Sequence, residues 1–376
     1  MNKVFASIKE FLRSLDKTLL LICLTCSSIS LICLYSFYAT GQKTFRVLIV
    51  QGVAIILGIV LAMIISIIDY HTMAKLWKIH APIAIGLVVL TYIIGTGGAG
   101  ASAAADDKAW LNLGFTTIQP AELLKLSFIF TFALHLSKVK EQINQQKPFL
   151  LLCLHGAVPT VLVMLQGDFG TALVFFIIFA FMMFVAGLSL RFIAVGLVAS
   201  IGVAPLIWNY VLPSHLQKRF LVAWHPESDP LGAGMQQFKG RIAVGSGGLF
   251  GRGIASDNLF YVSESHNDFI FSYIGQTLGF VGTITTLLLI IFLCVKILMN
   301  SKMSKDNLGT FICIGVFSMF LFQAIINIGM VLCIIPVIGI TLPFFSAGGT
   351  SVTISYMAIG MVLSVYRHNK KDMMFD

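Results

Sequence analysis

One carboxylate in this sequence has the setting of a general base. Asp268 ends the polar stretch Glu264-Ser265-His266-Asn267-Asp268 and is followed at once by Phe269-Ile270-Phe271. Partial desolvation at such a boundary raises the pKa of a carboxylate and makes it a better proton acceptor. Spacing alone does not choose among Glu264, His266 and Asp268, and an Asp here could also cap a helix. The stretch therefore predicts a proton acceptor without identifying it.

Charged residues also occur at the ends of two other apolar runs. Glu122 and Lys125 are spaced to share one helix face, and Pro120 suits the first turn of that helix. Asp168 precedes a second apolar run, where it could cap a helix and meet its positive end. Burying a charge in a bilayer costs at least about 2.5–3.5 kcal/mol. These residues are therefore either structural, as an ion pair and a cap, or polar groups at the edge of an active cavity.

A set of cations could bind an anionic phosphate, or could simply be solvated. A glycine-rich stretch at 245–253 lies among them and could bring backbone N–H groups close to the same anion. It lacks the Gly-Lys-Ser/Thr of a Walker A motif, and the sequence has no His pair at metal-ligand spacing such as H-E-x-x-H. The cations are Lys218, Arg219, Lys239, Arg241 and Arg252.

Long apolar runs must position all of these side chains. Hydrophobic residues make up 57% of the 376-residue chain and charged residues 11%, against about 25% charged in soluble proteins. This composition excludes an ordinary cytosolic globule, a disordered chain and a secreted disulfide scaffold. A membrane-spanning helix needs about 20 apolar residues. The sequence predicts an all-α, polytopic single membrane domain over 1–376, with ten spans at about 17–39, 47–68, 78–96, 118–137, 148–165, 169–187, 190–212, 268–296, 308–335 and 344–366.

The distribution of Lys and Arg predicts the orientation of these spans. Sixteen lie on the side of the two termini and three in the opposite short loops, and the positively charged side is cytoplasmic. We therefore expect cytoplasmic termini in a multi-pass protein of the cytoplasmic (inner) membrane. The large loop at about 213–267, between the seventh and eighth spans, and the Gly/Ala-rich segment 95–109 would lie outside. The net charge of +9 then reflects topology, and nucleic acid is not an expected partner.

The polar segments together resemble the signatures of one membrane protein family. They follow the order of the SEDS family (shape, elongation, division and sporulation) over nearly the whole chain. The matching segments are 119–125 (QPAE-x-x-K), 166–171 (Q-x-D-x-G-T), 243–251 (the glycine-rich loop), 264–269 (E-x-H-x-D-F), and 327–330, 336–346 and 348–351 (the last signatures).

The resemblance implies a fold and an activity. SEDS proteins have ten spans with cytoplasmic termini. Members polymerise lipid II, an undecaprenyl-pyrophosphate-linked disaccharide-pentapeptide, at the outer face of the cytoplasmic membrane, facing the periplasm or cell exterior. They work with a class B penicillin-binding protein transpeptidase. The short N-terminal tail is more similar to RodA, which acts with the elongation machinery in cell shape. The alternatives are an FtsW-like septal polymerase, a lipid II flippase or transporter, and a non-catalytic scaffold.

The resemblance also implies roles for individual residues. Asp268 is then the catalytic carboxylate, which accepts the proton of the acceptor hydroxyl. The departing pyrophosphate needs fixed cations or a divalent metal such as Mg²⁺ or Mn²⁺, whose ligands the sequence does not identify. The substrate-binding residues would be Glu122, Lys125, Asp168, Lys239, Arg241 and Glu264.

The sequence departs from the family pattern at four positions. Ala109 precedes Trp110 where the family often has Arg, and Gln276 replaces a Glu. Met235 and Lys239 replace a Tyr and a Gln before the glycine-rich loop. These changes leave the carboxylate of the D-F motif in place. We therefore expect them to affect substrate binding and the turnover rate.

Overall fold

The chain folds into a bundle of long helices with a short hairpin. The computed structural model describes residues 10–11, 13–97, 108–114 and 117–372. Most of the predicted outer segment 95–109 lies outside this part of the chain. The helices are α1 (Lys17–Ala39), α2 (Phe45–Ile67), α3 (Tyr70–Lys75), α4 (Trp77–Ile94), α5 (Pro120–Val139), α6 (Gln146–Leu165), α7 (Phe169–Val185), α8 (Leu190–Leu206, extended by a π turn at Ile207–Val211), α9 (Ser214–Val222), α10 (Met235–Ser246), α11 (Ile270–Lys302), α12 (Asn307–Val331) and α13 (Gly349–Asp372).

Each of the ten predicted apolar runs overlaps one of these helices. Eight of the helices are long and apolar enough to cross a membrane: α1, α2, α4, α6, α8 with its π turn, α11, α12 and α13. The two others are α7, which is apolar but has only 17 residues, and α5, which has charged residues on its buried face. A multi-pass helical membrane protein is therefore confirmed, and a count of ten spans is not.

Burial separates the centre of the bundle from its lipid-facing rim. In the most apolar stretch of α12, 78% of residues are buried, and in that of α13 67%. The corresponding shares are 17% for α4 and 0% for α8. Exposed apolar side chains on a spanning helix belong against lipid, which is as apolar as they are. Helix α5 packs against α12 and α13, at the centre.

Helix α11 is broken where the glycine-rich stretch packs against it. Gly279 has φ +68° and ψ −160°, which interrupts the helix. The backbone N–H groups of Arg252 and Gly253 donate to the carbonyls of Gln276 and Thr277, at 2.9 and 3.1 Å. These two N–H groups bond to carbonyls at the helix break and are not available to an anion. The expected anion binding was therefore wrong for these two groups. A Cβ at Gly251, whose φ is +83°, would collide with the Thr277 carbonyl.

The connection between α8 and α11 folds back onto the bundle. Helix α10 packs against the first turns of α11. Its Gln237 is fully buried, and Nε2 donates to the carbonyls of Met330 and Ile335, both at 2.9 Å. This bonding ties α10 to the end of α12.

The predicted boundary between the last two spans was wrong. Helix α12 ends at Val331 and α13 begins only at Gly349, although the apolar pattern predicted helix up to 335 and again from 344. The intervening segment, 332–348, is non-helical and partly buried; Phe344 is 1% exposed with φ +66°. Hydrophobicity reports burial, and a buried loop is as apolar as a helix. The hairpin of β1 (Leu111–Asn112) and β2 (Thr117–Ile118) is another element that the sequence did not predict.

Candidate active site

The main chain around Asp268 is fixed from two sides. Asp268 lies two residues before α11. The side-chain Nδ2 of Asn327, on α12, donates to the Asp268 carbonyl at 2.8 Å and to the Ile340 carbonyl at 2.7 Å. Phe269 is fully buried. The backbone of Asp268 is therefore pinned to α12 and to the segment 332–348.

The segment 332–348 also makes hydrogen bonds to the residues just before Asp268. The Ala347 N–H donates to the His266 carbonyl, and the Ser346 hydroxyl donates to the Asn267 carbonyl, both at 2.7 Å. Gly339 has φ +74°, and a Cβ there would lie 3.6 Å from Asp268 Oδ2. The carboxylate thus faces a glycine, which leaves more room than any other residue would.

The surroundings of Asp268 tune its acidity. Burial of the half-buried Asp268 carboxyl, together with the negative charges of Glu264 and Asp168, raises its pKa to about 7, against the opposing effect of the Arg219 guanidinium. A general base works best with a pKa near the operating pH. About half of these carboxyls would be ionised at neutral pH.

The same electrostatics distinguish the three acceptors that the sequence left open. Burial, with a smaller effect of Lys43, lowers the pKa of His266 to about 4, which makes it a weak base. The Oε2 of Glu264 accepts a hydrogen bond from Asn267 Nδ2 at 2.9 Å, and Glu264 itself has a left-handed φ of +56°. Asp268 is therefore the best proton acceptor of the three.

A second carboxylate connects Asp268 with the charged residues of α5. Asp168 caps α7: its Oδ1 accepts from the Thr171 N–H at 2.9 Å, and its Oδ2 accepts from Gln119 Nε2 at 2.6 Å. Burial raises the pKa of Asp168; Glu122 raises it further and Lys125 lowers it. Asp168 therefore has both a structural role as a cap and a place in the charged cluster.

Glu122 and Lys125 form a buried ion pair beside Asp168. The Lys125 Nζ lies 2.7 Å from Glu122 Oε1, and the two residues are 1% and 7% exposed. The N-terminal ends of α5, α7 and α11 thus meet, and they bring Glu122, Lys125, Asp168, Glu264 and Asp268 to one end of the bundle.

A cation that interacts with Asp268 is Arg219, which the sequence named among five candidates but did not choose as a substrate-binding residue. Arg219, on α9, is largely buried, which lowers its pKa, and it interacts electrostatically with Asp268. Its Nη1 lies 3.5 Å from the Val337 carbonyl. No feature of the sequence separates Arg219 from the four other cations of this connection, because its position depends on the orientation of α9.

The two cations chosen from the sequence are placed differently. Arg241 pairs with Glu227 at 3.0 Å, and about half of each side chain is exposed. Lys239 is half-buried on α10 and makes no ion pair or hydrogen bond with a described residue. The structure therefore leaves Lys239 available and commits Arg241 to Glu227. Arg252 stacks on Phe260, with its guanidinium carbon 4.7 Å from the ring centroid.

A metal ion would have few protein ligands here. Within the described part of the chain, no group of three or more His, Cys, Asp or Glu side chains is arranged to hold one. Mg²⁺ is often held by one or two carboxylates together with substrate phosphates. Asp268 and Asp168 interact electrostatically, so a metal ion here would depend on substrate phosphates for most of its ligands.

Comparisons with known proteins agree on one family. The family model for FtsW, RodA and SpoVE, described as cell cycle protein, matches residues 14–371. Stage V sporulation protein E of Bacillus subtilis is 33% identical over 375 residues, covering 94% of this chain and 98% of that protein. The peptidoglycan glycosyltransferase MrdB of Escherichia coli K12 is 31% identical over 360 residues, covering 95% and 94%.

Solved structures show the same fold. A chain of a peptidoglycan synthase complex that coordinates polymerization and crosslinking superposes with a TM-score of 0.80, at 26% identity, covering 95% of this chain and 99% of that one. The rod shape determining protein RodA of Thermus thermophilus superposes with a TM-score of 0.70, at 25% identity, covering 94% and 97%.

Proposed function

The chain belongs to the FtsW/RodA/SpoVE family of cell cycle proteins, and from this we propose that it is a peptidoglycan glycosyltransferase that polymerises lipid II. One observation carries the proposal: the half-buried carboxylate of Asp268, with a pKa of about 7, lies in a cluster of charged residues at one end of a membrane bundle. Curated relatives named peptidoglycan glycosyltransferase support the reaction class.

Asp268 is the general base of this reaction. The 4-hydroxyl of the acceptor sugar is far too weak an acid to ionise at neutral pH, so it must lose its proton as it attacks. Asp268 Oδ accepts that proton while the hydroxyl oxygen bonds to the anomeric carbon of the donor. The bond from that carbon to the lipid pyrophosphate breaks, and its electron pair leaves with the pyrophosphate. General base catalysis of this kind contributes about 10²–10⁴-fold to the rate.

Cations must stabilise the departing pyrophosphate. Arg219 is close enough to Asp268 for their charges to interact, and Lys43 has the same relation to His266. Lys239 is available for the same purpose, whereas Arg241 would first have to leave Glu227. A divalent cation would neutralise the leaving charge when bound, held by the pyrophosphate and by no more than two of the carboxylates.

The pair Glu122–Lys125 and the capped Asp168 would form one wall of the substrate site. Their buried hydrogen bonds hold them in fixed positions, and preorganised polar groups of this kind cost no reorganisation during the reaction. Glu264 binds substrate or raises the pKa of Asp268 through its charge.

The site would face the periplasm or cell exterior. In this arrangement α5 and α7 join the eight apolar helices to make ten spans, with both termini in the cytoplasm. Two features support it: the Lys/Arg excess at the other end of the bundle, and the meeting of the α5, α7 and α11 N-termini around Asp268 at the end predicted to be outside.

The partner would be a class B penicillin-binding protein that crosslinks the new strands. The similarity to a chain from a complex that coordinates polymerization and crosslinking supports this. We favour a RodA-like role with the elongation machinery, supported by the similarity to RodA and MrdB. An FtsW-like septal role is the alternative, since relatives named FtsW reach similar identity, for example 29% over 361 residues in Geobacter metallireducens.

A lipid II flippase is the rival function. The break of α11 at Gly279 is the kind of feature that transporters use at a substrate path. Here the glycine-rich stretch fills the break with backbone hydrogen bonds. The break therefore has a structural use that does not require a transport path.

A purified-protein assay separates these functions. The full chain in detergent, with and without a class B penicillin-binding protein, is incubated with fluorescent lipid II, and glycan strands are resolved by gel. We compare the wild type, Asp268→Asn, and Asp257→Asn as a control that removes an exposed carboxylate from the same connection. The wild type and the control should form strands at equal rates, and Asp268→Asn should be at least about 100-fold slower. Wild-type rates in Asp268→Asn would refute the assignment, and lipid II movement across liposomes without strands would favour the flippase.

A further inference from the structure

A second candidate site is a cavity whose charged end lies away from Asp268. A cavity of about 420 Å³ opens between α4, α5 and α6, which is within the range of small-molecule sites. Helix α5 runs along it, with Leu124 and Phe128 toward the Asp268 end and His135 and Lys138 toward the other end. Trp77 and His155 line the cavity as well.

The cavity is accessible from the bilayer. Only 17% of the most apolar stretch of α4 is buried within the protein. Trp77 and Val158, which line the cavity, are 44% and 43% exposed. A spanning helix with so little packing leaves its neighbours open to lipid, so a lipid chain can enter from the side.

A chain of hydrogen bonds leaves one ring nitrogen of His135 free. The Thr131 hydroxyl donates to the Phe128 carbonyl at 3.1 Å, so it accepts from His155 Nε2, also at 3.1 Å. His155 Nδ1 then accepts a hydrogen bond from the Nδ1–H of His135, 3.1 Å away. His135 Nε2 has no partner among the described residues. It can donate to an anion once the ring is protonated.

The polar end of the cavity is suited to an anion. Lys138 is exposed and lies three residues after His135, on the same helix face. No carboxylate of the described residues lines the cavity. We propose that the cavity binds an anionic phospholipid, with the headgroup phosphate between His135 Nε2 and Lys138 and an acyl chain along Phe128 and Leu124. Basic pockets between helices on the cytoplasmic side are typical binding sites of anionic headgroups.

The length of the groove fits one acyl chain. Lys138 and Leu124 are 14 residues apart, or about 21 Å along the helix at about 1.5 Å per residue. One leaflet contributes about half of a hydrocarbon core that is roughly 30 Å thick. A chain anchored at Lys138 therefore fits within the groove.

Tryptophan fluorescence can test the site, because Trp77 lines it. A variant of the full chain with Trp110→Phe, Trp208→Phe and Trp224→Phe retains Trp77 as its only tryptophan. Brominated phosphatidylglycerol or brominated phosphatidylcholine is titrated into it in detergent. With about a five-fold gain for one Lys near the phosphate, half-maximal quenching should need roughly five-fold less phosphatidylglycerol.

Two further variants in the same background provide the controls. His135→Gln combined with Lys138→Gln should abolish the preference for phosphatidylglycerol. Lys147→Gln, which removes an exposed charge at the same end of the bundle but outside the cavity, should retain it. Equal quenching by the two lipids, or a preference that survives the double substitution, would overturn the proposal. Unlabelled phosphatidylglycerol and uncharged undecaprenol can each compete with the brominated lipid and relieve the quenching. Stronger relief by undecaprenol would assign the groove to an isoprenoid chain instead.

Discussion

Substituting Asp268 by Asn should make the folded protein more resistant to unfolding at alkaline pH while removing its activity. Burial raises the pKa of this carboxyl to about 7 in the folded state, whereas the unfolded chain has an Asp pKa of about 3.9. The folded state therefore binds the proton more tightly. The resulting stability is complete below about pH 4 and is lost as the pH rises through about 7. Asn never ionises, so the variant avoids this loss.

The magnitude follows from the pKa difference. A rise from about 3.9 to about 7 corresponds to at most about 4 kcal/mol at about 1.4 kcal/mol per pKa unit. The side chain is only half-buried, and solvent screening reduces the cost, so we expect about 1–3 kcal/mol at pH 8.5. Each kcal/mol shifts the unfolding temperature of a 150–250-residue protein by roughly 2–4 °C and that of a longer chain by less. We therefore expect a rise of a few degrees.

Thermal unfolding followed by intrinsic fluorescence at pH 5 and pH 8.5 measures this difference. Both proteins are kept in one detergent and heated at one scan rate, because unfolding of a membrane protein in detergent can be irreversible. The rise should be clear at pH 8.5 and should be small at pH 5. Asp257→Asn, at an exposed position, should shift neither temperature. An equal shift at both pH values, or a lower unfolding temperature for Asp268→Asn at pH 8.5, would refute the electrostatic reasoning.

Three other substitutions test how the site is supported. Asn327→Leu removes the hydrogen bonds that pin the Asp268 backbone, so kcat for lipid II should fall about 10–100-fold as the base loses its position; an unchanged kcat would exclude a positioning role. Gly251→Ala adds a Cβ at φ +83° against the broken helix α11, and should lower stability by about 1–3 kcal/mol, measured by thermal unfolding; wild-type stability would contradict the packing described. Lys296→Met removes the cation that lies 3.1 Å from the buried Asp16 carboxylate. The free energy of unfolding should fall by about 2 kcal/mol, less than for a fully buried pair because Lys296 is partly exposed. Adding Asp16→Asn should restore most of the lost stability, and a double variant as unstable as Lys296→Met alone would contradict the pairing.

The sequence predicted the helices well because membrane spans are long and their composition is distinctive. The bounds of α1, Lys17–Ala39, agree with the predicted span. The errors lie where a segment is buried but is not helical. The segment 332–348 is apolar because it packs against the residues around Asp268. The left-handed backbone conformation of Phe344 cannot be recognised from hydrophobicity.

The candidate site was predicted only in part, because the sequence reveals some of its residues by their position and others not at all. Glu122, Lys125, Asp168 and Asp268 stand out because a charge at the end of an apolar run needs an explanation. Arg219 and Asn327 do not stand out: one is a cation among several in a connection, and the other is an amide within a long helix. Their importance depends on which way α9 and α12 present them to Asp268. The glycine-rich stretch shows the opposite error, since its composition suggested anion binding and its backbone N–H groups satisfy a broken helix.

The pH dependence of lipid II polymerisation tests the role of Asp268 most directly. With purified wild-type protein between pH 5 and 9, the rate should rise with pH and reach half of its maximum near 7, where the carboxyl loses its proton. Because the Arg219 guanidinium lowers this pKa, Arg219→Gln should move the midpoint to higher pH. A rate that does not change across this range, or a midpoint near 4 in both proteins, would contradict a base with the raised pKa of Asp268.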